Sequence, residues 1–298
     1  MSINQETGLW QCFKYKQKGN FEQLVAFMEG ISINAARIFI GRKLLDSPEL
    51  IFYKSRSRPE SETVVGVSKI NEIAKDFKPL TYEFSRNSYS LSERLAFKMA
   101  FERSLPLGEL MFCEKGKYSR RLIIPYRYKD SDSMFFFQAR ALGNSPLKYL
   151  NPTEKDTGEL HKCSNILYPY NEESKYVMVT EGPLDSITLQ SSNVNATCIN
   201  GSYISAIQAR KLKDWANSNG AIIILAFDND DAGRKGMECS AKILGGVGAD
   251  KVMFCHPPKE YGDWNEFLVK RGASEVRNYV YGNINKSKLE YLLISQLS

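Results

Sequence analysis

The segment VMVTEGPLD, Val177 to Asp185, sets two carboxylates, Glu181 and Asp185, four residues apart just after a short apolar run. Farther on, AIIILAF runs into DNDDAG, so Asp228 and Asp230 close a second apolar run, two residues apart and able to project to one side of an extended chain. A third run, KVMFCH, precedes PPKEYGDWNEF, which carries Asp263 and Glu266. Carboxylates gathered in one place repel, and they stay ionised together at low cost only when a cation joins them. Oxygen-only donors select Mg2+ or Mn2+ over zinc. Each pair alone has a plainer reading, because acidic residues suit the first turn of a helix and the helix cap before it. Three such pairs in order, each after an apolar run, point to metal-assisted chemistry.

The runs must then be strands of one sheet. KYVMVT, ATCING, AIIILAF and KVMFCH read as strands, and GPLDSITLQSS, ISAIQARKLKDWANS and DAGRKGMECSAKILGG between them read as helices. Strands alternating with helices of about 10–15 residues predict a parallel sheet covered by helices, whose loops after successive strands open on one edge. The expected fold class is α/β: a parallel-sheet domain over 172–275 packed with a basic, mixed α+β subdomain over 91–171. In the latter, Ser90 and Glu93 have the spacing of a capping box for a helix from Leu91 to Arg103, and RRLIIPYRY and MFFFQARAL read as strands around the turn-like KDSDS. Residues 1–45 form a small N-terminal unit, in which Asn20 can cap FEQLVAFMEG and Ser32 can cap INAARIFIGRK. The polar stretch 46–90, with KSRSRPESE, reads as a linker, and 276–298 as a C-terminal tail. No G-x-x-x-x-G-K-[ST] phosphate loop is present, so no nucleotide-driven motor is expected.

Charge is distributed unevenly: residues 1–130 hold 22 Lys and Arg against 15 Asp and Glu, and the remainder 18 against 19. A basic front suits a polyanion, nucleic acid in particular. Six cysteines without a C-x-x-C pair predict free thiols in a reducing compartment, and two histidines, His161 and His256, are too few for a closed zinc site. The start, MSINQETGLW, lacks the apolar run of a signal peptide, and Ala221 to Phe227 is far short of the roughly 20 residues a bilayer needs. The reading is a cytoplasmic protein with no membrane partner.

E-G-x-x-D after one strand and D-x-D-x-A-G after the next but one, here Glu181, Gly182, Asp185, Asp228, Asp230, Ala232 and Gly233, resemble the Toprim domain of bacterial-type primases, topoisomerases and some nucleases. Upstream, RLIIPYRY, FFFQARALGNSPLKYLNP and HKCSNILY are similar to the segment before Toprim in DnaG-like primases, with Arg121, Arg140, Lys148, Tyr149, Asn151, His161 and Lys162 at matched positions. QAR departs from the small residue, Gly and Arg usual in bacterial enzymes. The resemblance implies a DNA primase that makes short RNA primers on single-stranded DNA from ribonucleoside triphosphates, with a separate replicative helicase as partner, in a bacterial or phage-infected cell. Length and tail resemble the separate-subunit primases of large tailed phages.

It further implies that Asp228 and Asp230 hold Mg2+ or Mn2+ with Glu181, Asp185 and Asp263 contributing, Glu181 being a base or a second metal ligand. Arg121, Arg140, Lys148 and Lys162 would contact nucleotide or template. LWQCFKYKQKGNFEQLVAFMEG is similar to the closing part of the primase zinc ribbon, but Tyr15 replaces the second thiolate after Cys12. A degenerate, zinc-free ribbon is therefore expected, with Lys14, Lys16 and Lys18 near template and Trp10, Phe13 and Tyr15 available for stacking on bases or for a core. Rival readings are a Toprim nuclease, which normally comes with an ATPase, and a catalytically weak template-binding accessory. A type IA topoisomerase needs a much larger chain.

Overall fold

A computed structural model describes residues 2–3, 10–12, 17–19, 21–29, 69–81, 89–128, 133–157 and 162–284. The chain divides into two units, Met1–Arg58 and Pro59–Ser298. In the first, β1 (Ser2–Ile3), β2 (Trp10–Cys12) and β3 (Gln17–Gly19) form an antiparallel sheet with Ile3 opposite Trp10 and Cys12 opposite Gln17. Helix α1 (Phe21–Glu29) follows and buries Leu24 and Ala26. Cys12 thus ends a strand, while Lys14, Tyr15, Lys16, Asn20 and the segment capped by Ser32 lie outside the described residues.

The described residues of the second unit begin with a helical turn at 69–74 and β4 (Phe77–Pro79), inside the stretch expected to be a linker. Ile70, Phe77 and Leu80 are buried there, and three apolar anchors within eleven residues give this polar text a core to fold onto. The strand is the edge of a five-stranded antiparallel sheet, completed by β5 (Met111–Cys113), β6 (Arg121–Arg127), β7 (Met134–Ala141) and β8 (Tyr149–Leu150). Before β5 runs α2 (Leu91–Glu102), which starts with the expected capping box: Glu93 N donates to Ser90 Oγ at 3.2 Å, and Ser90 N to Glu93 Oε2 at 3.4 Å. Strand β6 is buried along Arg121–Tyr126 because both faces are covered. Leu122, Ile124 and Tyr126 join Ala96 and Ala100 of α2, whereas Ile123 points to the other layer with Phe77, Tyr118 and Phe137.

The parallel sheet is built from β9 (Tyr176–Thr180), β10 (Ala196–Cys198), β11 (Ile222–Leu225) and β12 (Val252–Phe254) in the order β10-β9-β11-β12. All three pairings are parallel, with Val177 opposite Ile223 and Leu225 opposite Phe254. Its helices are α4 (Pro183–Ser191), α5 (Ala206–Asn219), α6 (Asp231–Gly246) and α7 (Trp264–Arg271); a short α3 (Glu154–Thr157) precedes the sheet. Alternation in the strands assigns the faces. Val177, Val179, Ile223 and Leu225 pack on α5 and α6, and Met178 and Ile224 pack on the layer that holds Leu189, Trp264 and Phe267. Residues 273–284, partly within the expected tail, are helical, and Val276, Val280 and Ile284, spaced by four, bury one stripe against this second face. The two sheets share a core, since Leu184 and Ile187 of α4 and Cys198 of β10 lie in one cluster with Leu122, Ile124 and Tyr126. None of the described helices is long and apolar enough to cross a membrane.

Candidate active site

The carboxyl ends of β9 and β11 and the loop after β12 meet at one edge, and buried polar contacts fix each turn. Thr180, the last residue of β9, bonds Ser186 Oγ at 2.8 Å and donates to the Gly182 carbonyl at 3.0 Å, which sets the turn carrying Glu181. Pro183 opens α4, where the missing N–H costs nothing, and Asp185 falls in its first turn. The β11–α6 loop is stitched to the β12–α7 loop: Asn229 N donates to the Gly262 carbonyl at 2.8 Å, and the fully buried Trp264 donates through Nε1 to the Ala226 carbonyl at 2.9 Å. Asp228 and Asp263 are brought together by these two contacts.

Two of the acidic residues do double service. Gly233 N donates to Asp230 Oδ1 at 2.7 Å and Glu266 N to Asp263 Oδ1 at 2.6 Å, so each is an N-cap, as the plainer reading has it. Glu266 is turned to its own loop, accepting from Gly262 N at 2.8 Å. Glu181 Oε1 accepts from Asp228 N at 3.4 Å, which joins the first two sites directly.

The electrostatics report crowding. Burial first, then Asp228 and Asp263, push Asp185 up to about 8. Burial and then Asp228 push Glu181 up to about 7, and burial followed by Asp263 and Asp230 push Asp228 up to about 6. The charge of Lys148, an exposed residue of the β7–β8 connection, works the other way on both Glu181 and Asp228. Among the described residues no group of three His, Cys, Asp or Glu side chains could hold a metal ion as a ready-made cage. That donor set fits a hard cation that keeps several waters and takes one or two carboxylates together with substrate phosphates; it does not fit zinc.

The sign of these shifts makes a prediction. A carboxyl whose folded value lies above its ordinary one binds protons that the unfolded chain has released, so the stability it confers is complete below about pH 4 and is lost as pH rises through about 6 to 8. In a chelating buffer the melting temperature is expected to fall between pH 6 and pH 8.5, and millimolar Mg2+ to restore it at pH 8.5. Scanning calorimetry at the two pH values checks this; a rise with pH, or no response to Mg2+, contradicts it.

The basic residues divide. Arg140 donates from Nη1 to Tyr149 Oη at 2.9 Å, with Cζ 5.3 Å from the ring centre, on the strand pair that leads to Lys148. Lys162 is exposed before a short turn, Cys163–Asn165. Arg121, expected to contact nucleotide or template, is 9% exposed, and its Nη1 donates to the carbonyls of Ala139 at 3.1 Å and Leu147 at 3.2 Å. These bonds tie it to the backbone beside Lys148, and its place on a doubly covered strand turns it inward. Lys14, Lys16 and His161 lie outside the described residues, and of Lys18 only its place in β3 is described. Sequence reading missed Arg103 and Asn265. Asn265 N donates to Asp185 Oδ1 at 3.3 Å, and Arg103 opposes the upward push on Asp185.

Residues 178–268, which carry most of the parallel sheet and its acidic edge, match the family model described as Toprim-like. The likeness extends to primases. The DNA primase of Thermotoga maritima is 26% identical, aligned over 96% of this chain and 54% of that protein, and the DNA primase of Aquifex aeolicus is 24% identical over 91% and 58%. The chain spans about half the length of the curated relatives it matches. In fold it is similar to the crystal structure of the zinc-binding and RNA polymerase domains of the Aquifex aeolicus primase, with a TM-score of 0.50 and 18% identity over 94% of this chain and 74% of that one.

Proposed function

We propose that the chain is the polymerising part of a DNA primase, a DNA-directed RNA polymerase that joins ribonucleoside triphosphates into short RNA primers on single-stranded DNA. The observation that carries the reading is the crowding of Glu181, Asp185 and Asp228 at one edge of a Toprim-like sheet, with the Lys148 charge acting on Glu181 and Asp228. Relatives named DNA primase, aligned over more than nine-tenths of the chain, support it, and none of the three closely covering relatives is named a nuclease.

In nucleotidyl transfer the 3′-hydroxyl of the growing primer bonds the α-phosphorus, pyrophosphate departs, and the hydroxyl proton must go to a base. Asp228 and Asp230, with Asp185 and Asp263, are the residues to hold Mg2+ or Mn2+, which when bound orients phosphate oxygens and makes the hydroxyl more acidic. Glu181, which burial and Asp228 push up to about 7 in the cation-free edge, is the residue to accept that proton or to serve as a further cation ligand. Lys148, Arg140 and Lys162 offset the triphosphate charge, and the basic N-terminal unit, through Lys14, Lys16 and Lys18, guides the template. A separate replicative helicase is the proposed partner, and the cytoplasm the proposed location.

The test incubates the protein with mixed single-stranded templates, labelled ribonucleotides and Mg2+ or Mn2+, beside an Asp228→Ala/Asp230→Ala variant. Short RNA products absent from the variant are expected. Cleavage of the DNA without synthesis moves the assignment to a nuclease, and DNA binding with neither reaction moves it to an accessory protein.

A further inference from the structure

Asn265, the second residue of α7, is 3% exposed and has every hydrogen-bonding group in use. Its Nδ2 donates to the Arg103 carbonyl at 2.8 Å and to Thr188 Oγ1 at 2.9 Å, and its Oδ1 accepts from Arg103 Nη1 at 3.1 Å. Its backbone N–H donates to Asp185 Oδ1 at 3.3 Å. Thr188 stands one turn after Asp185 on α4. Arg103 caps the C-terminal end of α2, which packs on the five-stranded sheet. One amide thereby joins three elements, two from the parallel-sheet half and one from the other.

A seam that only needed filling would take a leucine of similar volume at lower desolvation cost. A fully satisfied amide fixes geometry instead, because each of its bonds is directional and an unpaired buried partner costs about 1–3 kcal/mol. What it fixes is Asp185. One oxygen, Oδ1, is committed to the Asn265 N–H, and Oδ2 takes no protein donor among the described residues. Arg103 holds Asn265 by both its backbone and its guanidinium, and its charge acts on Asp185.

We propose that Asn265, clamped by Arg103, is a positioning residue for the acidic edge: it sets the orientation of Asp185 and makes cation binding there depend on the docking of α2. This rests on the acidic edge being the cation site. It is separate from the primase reading in that it concerns binding and not turnover.

The test is Mn2+ affinity of the full chain, measured by titration calorimetry without nucleotide. Asn265→Ala and Arg103→Ala are each expected to weaken binding about tenfold, in the range seen for residues that orient metal ligands. The double variant is expected to lose less than the two single losses added, since the Asn265–Arg103 contact is common to both, and Arg103→Lys, which keeps the charge acting on Asp185, to recover part of the loss. Tyr126→Phe is the stability control. It removes the hydroxyl that donates to Asn200 Oδ1 at 2.5 Å elsewhere on the same seam, so it should lower the melting temperature and leave Mn2+ affinity alone. Wild-type affinity in Asn265→Ala and Arg103→Ala overturns the inference. So does an equal loss in Tyr126→Phe, which would make affinity a reflection of stability. Absence of Mn2+ binding by the wild type removes the cation site itself, a different failure that the calorimeter separates at the first titration.

Discussion

Asp228→Asn is expected to lose primer synthesis by about 100-fold or more and, in chelating buffer at pH 8, to melt a few degrees higher than the wild type. The two effects have one cause. Asp228 follows β11 at the crowded edge, and burial, then the charges of Asp263 and Asp230, lift it to about 6. Above that pH the folded chain carries a carboxylate that would be easier to ionise unfolded, so removing the charge stabilises the fold. The shift corresponds to roughly 1–3 kcal/mol, with partial solvent exposure favouring the lower figure, and each kcal/mol moves the melting temperature of a domain this size by about 2–4 °C. Asparagine keeps the shape and removes the charge a cation needs. Residues one step out from metal ligands already cost about 10–100-fold when changed, so a ligand should cost more. Calorimetry and primer synthesis on the same preparation check both halves. A variant that melts lower without metal would mean that Asp228 is held by a stabilising partner, and the crowded-edge account would fall.

Added Mg2+ should narrow or reverse the difference between the two proteins: the wild type gains stability from a ligand that binds only its folded form, and the variant gains less. Residues strained for function in this way are where stability and activity trade against each other.

Much of this edge is written in local pattern. DAGRKGMECSAKILGG is the helix α6, and Ser90 and Glu93 form their capping box, because caps and apolar periodicity act within one or two turns. The parallel order follows from strands alternating with helices, and the acidic residues follow from the rule that loops after parallel strands open together. What escaped depends on partners distant in sequence. Nothing near Arg121 says that both faces of β6 are covered, or that its guanidinium bonds carbonyls 18 and 26 residues away. Asn265 contacts Arg103 from 162 residues on, and its neighbours Asp263 and Glu266 drew the attention that its neutral side chain did not. The strand at Phe77 was hidden by polar neighbours, since a three-residue edge strand has too few positions to display alternation.

Gly233→Ala is expected to damage the fold and the site together. An exposed glycine early in a helix normally gains stability on change to alanine, by up to about 1 kcal/mol. Here a β-carbon would stand 2.2 Å from the Asp228 carbonyl oxygen and within 3.1 Å of the Asp228 nitrogen, all of it backbone. No side chain can swing away, so either the first turn of α6 or the Asp228 peptide must move. Gly233 N is also the donor that Asp230 caps at 2.7 Å, so moving the turn loosens Asp230, and moving the peptide shifts Asp228 and the N–H it gives to Glu181. Overpacking of this kind costs about 1–3 kcal/mol, and a loss of several degrees in melting temperature should accompany a clear fall in Mn2+ affinity. Gly236→Ala supplies the contrast. Its β-carbon would meet the Ser202 carbonyl oxygen at 2.1 Å and the Phe227 ring at 3.2 Å, a clash as severe but directed at the loop after β10. It should cost similar stability while affecting Mn2+ affinity less than Gly233→Ala does. If Gly233→Ala instead melts at or above the wild-type temperature with unchanged affinity, the helix does not press on Asp228, and the close approach that places Asp228 and Asp230 side by side is not there.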